Sequence, residues 1–94
     1  MGYYVKEIKN TLIKTNEFTE DFKKWFVSEF NYGDLDSLYL GSFKYRDDFI
    51  EKMNKIAKFV EGEVIFRGEE GDVFAVWFNK GEAQELEVKL VIER

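Results

Sequence analysis

The chain contains no cysteine, no histidine and no proline. Without cysteine there is no disulfide and no thiolate nucleophile, and without histidine there is no imidazole base. The two absences together remove most zinc, iron and copper ligand sets. With no proline, no residue of that kind interrupts the β-type runs of the last third. Long apolar runs are missing too: nothing approaches the ~20 residues that span a bilayer. The segment from Met1 to Val5 lacks the basic and apolar regions of a secretory signal. The expectation is a cytoplasmic protein with no membrane partner. Cationic charge is also scarce, with 14 Lys and Arg against 19 Asp and Glu for a formal net charge of -5. That balance opposes the counterion-release binding that drives association with phosphate backbones, so direct nucleic-acid binding is not expected.

What remains is apolar and aromatic. Of 94 residues, 45% are hydrophobic, including ten Phe, five Tyr and two Trp. That length predicts a single domain over residues 1–94, with enough apolar side chains for a core without disulfide or metal. The last third carries the clearest pattern. Val64 to Glu69, Val73 to Phe78 and Leu86 to Ile92 are rich in β-branched and aromatic residues, separated by turns at Glu70-Gly71 and Lys80-Gly81. They predict an antiparallel meander. Its middle run, VFAVWF, is apolar on both alternating faces and predicts an interior strand covered by helices. In the last run, Leu86, Val88, Leu90 and Ile92 alternate with Glu85, Glu87, Lys89 and Glu93, so the charged set is expected to face water.

Tyr3 to Ile8 reads as a first strand whose alternation breaks: Tyr3 and Val5 share one phase, Ile8 and Leu12 the other. A bulge near Glu7 would restore register. Thr19 is placed to cap a helix carrying Phe18, Phe22, Trp25, Phe26 and Phe30 down one face, ended by Asn31-Tyr32-Gly33. Leu38, Leu40 and Phe43 predict a short strand. Phe49, Ile50, Met53, Ile56, Ala57 and Val60 form the apolar stripe of a second helix, stopped by Gly62, with Asp48 and Lys52, and Glu51 and Lys55, spaced as i,i+4 pairs. The predicted fold class is α+β: a two-layer sandwich of order β-α-β-α-β-β-β, with a mostly antiparallel sheet and two helices on one face.

The opening Gly2-Tyr3-Tyr4-Val5, the Thr-Leu-Ile stretch before the first helix and the ending GEVIFRGEEGDVFAVWFNKG resemble a loose group of small bacteriophage and prophage proteins of unassigned activity. The likeness spans nearly the whole chain in layout. It implies a viral origin and the tasks of small phage proteins, such as blocking a host enzyme or a defence system. It carries no site residues across.

No motif fixes a chemistry. Neither Walker nor Rossmann spacing occurs. Asp34-Leu35-Asp36-Ser37 holds the first two acids of a calcium loop but lacks its glycine and final glutamate, so no metal and no cofactor are expected. A small hydrolase, a third reading, would need carboxylates facing each other across a cleft, which a domain this small seldom provides. The aromatic residues are the remaining lead, because exposed Tyr and Trp beside acids suit a protein-binding hot spot. The leading reading is therefore non-enzymatic: a binding protein that inhibits or modulates a host protein through an acidic, aromatic surface or an open sheet edge. Arg67 and Trp77 are the candidates if a sheet face is used, and Tyr32, Asp34, Asp36 and Tyr39 if the loop is used. An open edge also allows a homodimer. The alternative is an oligomer that sequesters a nucleotide or similar anion with Arg67, Lys44 or Arg46.

Overall fold

In the computed structural model, which describes residues 3–87, one antiparallel sheet is built from β1 (Tyr3–Asn10), β2 (Ile13–Lys14), β3 (Ser42–Tyr45), β4 (Val60–Gly68), β5 (Val73–Asn79) and β6 (Glu82–Glu87). The strands lie in the order β3-β1-β4-β5-β6, and β2 continues the line of β1 along β4. With helices α1 (Glu20–Glu29) and α2 (Phe49–Ala57), this is an α+β fold. None of the described helices is long and apolar enough to cross a membrane. β5 lies between β4 and β6, as the VFAVWF run requires, and α2 packs over it.

Both helices lie on one face. Phe66 of β4 and Val76 and Phe78 of β5 are fully buried beneath α2, whose Phe49, Met53, Ile56 and Ala57 face them. From α1, Phe22 packs on Phe59 at 4.3 Å between ring centroids and Phe30 on Phe43 at 4.9 Å, and Phe43 in turn meets Phe66. Thr19 caps α1 by accepting the Phe22 N–H at 3.1 Å. The pair of Lys52 with Asp48 forms at 4.0 Å, whereas Lys55 lies over the Trp25 ring at 4.8 Å and ties α2 to α1.

The bulge falls where the alternation fails. The pairing of β1 with β4 shifts between Glu7 and Lys9, and the skipped residue, Ile8, is 52% exposed. Leu12 thereby returns to the core side. The bulge also leaves Glu7 pointing inward, 5% exposed. Its carboxylate accepts the Leu40 N–H at 2.9 Å and a proton of the Asn10 amide, holding the 33–41 loop on β1.

Four sequence expectations are corrected. The strand placed at Leu38 and Leu40 forms one turn later, as β3, because Leu38 takes a positive φ of 56° and Tyr39 closes a bridge back to Asp34. Gly33 and Gly41 allow this loop to stack on itself: a Cβ on Gly33 would meet the Tyr39 carbonyl at 2.5 Å, and one on Gly41 would meet the Tyr32 carbonyl. Val60 opens β4 rather than extending α2, which ends at Ala57. Gly62 accordingly stops no helix. It lies inside β4 with φ 131°, pressed against Thr11 and Leu12 where β1 gives way to β2. Finally, β6 starts at Glu82 and its phase is set by the two-residue turn, where Lys80 and Gly81 both have positive φ and Asn79 pairs with Glu82. Leu86 therefore faces Ala75 on the bare side rather than the core, and Glu85 stands opposite Val76 on the helix side, where it is exposed as expected. Val88, Lys89, Leu90, Ile92 and Glu93 lie outside the described residues.

Candidate functional site

The sheet is strongly curled. Tyr45 of β3 and Glu85 of β6 are separated by three strands, which at ~4.8 Å per strand would put their backbones about 19 Å apart in a flat sheet. Their side chains nevertheless meet, the Tyr45 hydroxyl donating to the Glu85 carboxylate at 2.7 Å. Under this arch a cavity of about 500 Å³ opens, lined by Tyr3, Tyr45, Asp72, Val73, Phe74 and Glu85.

Each wall comes from a strand end. Tyr3 and Tyr45 are cross-strand partners in β1 and β3, and they share the helix-side phase with Val5 and Phe43. The Tyr45 ring stands perpendicular to Phe74 at 5.8 Å and stacks on Phe49 at 4.5 Å, so the cavity's aromatic wall is continuous with the core. Tyr3 donates to the Asp72 carboxylate. Gly68 makes that contact possible, since a Cβ there would collide with the Tyr3 hydroxyl. Asp72 is held by the turn after β4, where the Gly68 N–H donates to the Asp72 carbonyl at 2.8 Å.

Both phenols are pushed up to about 12. For Tyr3 the main cause is the hydrogen bond to Asp72, followed by partial desolvation and the charge of Asp72. For Tyr45 it is desolvation, then the hydrogen bond and charge of Glu85. The phenols are therefore fixed donors at neutral pH rather than bases or nucleophiles. Each carboxylate has about four acceptor positions and gives one to a tyrosine, so acceptor capacity is left over. Among the described residues no cation lines the cavity, and neither Asp72 nor Glu85 takes part in an ion pair. Aromatic faces beside unpaired carboxylates attract cations, by ring quadrupole and by charge.

The residues singled out from sequence do not gather into one site. Arg67 and Trp77 share the helix-free face, Trp77 being 45% exposed. The loop residues lie elsewhere. Tyr32 is 75% exposed, but the Asp34 carboxylate accepts the Asp36 N–H at 3.2 Å and the Ser37 hydroxyl at 3.0 Å, which makes it part of a turn. Tyr39 is half-buried, and its main chain forms the bridge to Asp34. Among the described residues no three acids are grouped to hold a metal ion. Lys44 and Arg46 border a recess of about 300 Å³ beside β3, and Arg67 borders an adjoining recess of about 320 Å³. Each also contains carboxylates: Glu29 and Asp48 in the first, Glu69 in the second.

The cavity residues Tyr3, Tyr45, Asp72, Phe74 and Glu85 were missed as a set. One signal was available: Tyr3 stands at the inward phase of its strand, where an apolar residue would serve packing alone. Compared with family models, with curated proteins and with solved structures, the chain matches none.

Proposed function

We propose that this chain is a non-enzymatic binding protein that docks onto a partner protein by taking a basic side chain into the cavity between Tyr3, Tyr45 and Phe74. The observation that carries this reading is the acidic pair Asp72 and Glu85, set against aromatic walls and, among the described residues, without an ion-pair partner or a lining cation. An arginine or lysine of the partner would stack on the rings and bond the free carboxylate lone pairs, a contact worth roughly 0.5–2 kcal/mol from the ring alone. The net charge of -5 would add long-range attraction to a basic surface. On the likeness to small phage proteins, the partner is a host protein that is inhibited or modulated by being held.

Affinity capture from a bacterial lysate tests this, with the parent chain beside Asp72→Asn/Glu85→Gln and Tyr32→Ala as baits. A partner retained by the parent and by Tyr32→Ala but lost by the double variant supports the reading. A partner retained equally by the double variant sinks it.

Anion sequestration draws on a different observation. Lys6 and Arg67 sit directly opposite one another across β1 and β4, an unfavourable like-charge pair that a bound anion would relieve. Retention of a phosphate-bearing ligand through purification would favour it over the cationic-guest reading.

A further inference from the structure

The outermost strand, β3, pairs only with β1 among the described residues. Which of its main-chain groups are free follows from the alternation of an antiparallel ladder. The Glu7 N–H donates to the Gly41 carbonyl at 2.9 Å, so Gly41, Phe43 and Tyr45 turn their polar groups toward β1. The Tyr4 carbonyl instead accepts the Glu69 N–H at 3.2 Å on the β4 side, which leaves its partner Lys44 turned outward. Ser42 and Lys44 therefore present N–H and C=O groups to the outside, and no hydrogen bond among the described residues engages them.

This edge is not blunted in the usual way. A lysine on an edge strand commonly guards it, but the Lys44 ammonium lies back over the Tyr4 ring at 5.6 Å, off the ladder. Beside the edge runs the recess of about 300 Å³, lined by Ser28, Glu29, Asn31, Tyr32, Asp48 and Lys52. Lys52 is taken up by Glu29 and Asp48 at 3.7 and 4.0 Å, whereas Lys44 and Arg46 have no ion-pair partner among the described residues.

We infer that β3 is a peptide-binding edge that accepts an extended acidic segment of a partner protein as an added strand, with Ser42 and Lys44 supplying the ladder and Lys44 and Arg46 selecting acidic side chains. Main-chain bonds give such a contact its affinity and flanking side chains its selectivity. The inference is independent of the acidic cavity, and its test uses different residues.

The probe is a fluorescent acetylated peptide, Val-Glu-Thr-Glu-Val-Glu, with a counterpart carrying lysine for glutamate. The acidic peptide is expected to bind about tenfold tighter than the basic one. It should slow hydrogen exchange at the Ser42 and Lys44 amides and leave Gln84 unchanged. Lys44→Gln, which keeps the N–H, is expected to weaken binding about threefold to tenfold. Lys44→Pro, which removes the N–H at an edge position that tolerates proline, is expected to abolish it. Amide protection in the parent decides the matter even if the proline variant fails to fold. Equal binding of the two peptides, or no protection at Ser42 and Lys44, overturns the inference. So does concentration-dependent self-association that protects the same amides without peptide, which would make the occupant a second copy.

Discussion

Replacing Glu7 by alanine tests whether the loop that positions β3 is held by one buried carboxylate. Glu7 Oε1 accepts the N–H of Leu40, itself 1% exposed, and no water can replace that acceptor without opening the loop. Orphaning a buried N–H costs roughly 1–3 kcal/mol, and loss of the Cγ methylene adds a packing term of order 1 kcal/mol. The expected total is about 3 kcal/mol. For a domain of this size each kcal/mol moves the melting temperature by roughly 4–8 °C, so Glu7→Ala should melt about 12–24 °C below the parent. Glu7→Gln keeps the Oε1 acceptor for Leu40 but sets its own amide NH2 against the Asn10 amide donor, and should lose roughly 1.5–3 kcal/mol, the worth of a hydrogen bond to a charged group. Thermal unfolding followed by circular dichroism gives both shifts, and hydrogen exchange at Leu40 locates the damage. Burying a carboxylate is itself costly. If that cost outweighed the two bonds it makes, Glu7→Ala would melt at or above the parent, and the reasoning would be refuted.

Three further outcomes follow from the same geometry. In an absorbance titration of the phenolates, Tyr3 and Tyr45 should ionise near pH 12 rather than 10, and Tyr3→Phe/Tyr45→Phe should remove that late step. Because folding raises these values, the tyrosine contacts stabilise the fold fully below pH about 10 and are lost as pH climbs through about 12; a stability curve flat across pH 10–12 would contradict this. Gly68→Ala should force Tyr3 off Asp72, so the Tyr3 resonance should titrate earlier while Tyr45 stays unchanged. Thr19→Ala should cost about 1 kcal/mol by removing the acceptor for the Phe22 N–H, read as a shift in urea midpoint.

How far the sequence carries can be judged element by element. The cap at Thr19, the interior strand VFAVWF, the turn at Lys80-Gly81 and the bulge near Glu7 are local, each fixed by a few neighbouring residues. The errors arise where local pattern met a longer constraint. Val60 fits the helical stripe and the strand equally well, and only pairing with Lys14 decides for β4. Leu40 is apolar because it plugs the core from a loop, not because it lies in a strand. Leu86 fits the covered face by its apolar side chain, yet the turn at residues 80 and 81 fixes the register and sets it opposite Ala75 on the bare face, while Glu85 is exposed as its charge requires. The cavity was the least legible feature. It joins Tyr45 to Glu85 and Tyr3 to Asp72 through the curl of the whole sheet, which no stretch of sequence announces. The loop acids were legible as acids, but Asp34 satisfies its own turn.

What enters that cavity decides whether the protein docks through it. Titrating the protein with N-acetyl-arginine amide and N-acetyl-lysine amide while following ring resonances measures it. Saturable shifts at Tyr3, Tyr45 and Phe74, absent in Asp72→Asn/Glu85→Gln, are the predicted result. Rings that stay still while Tyr4, Lys6 or Arg67 respond instead, or shifts unchanged in the double variant, would contradict it.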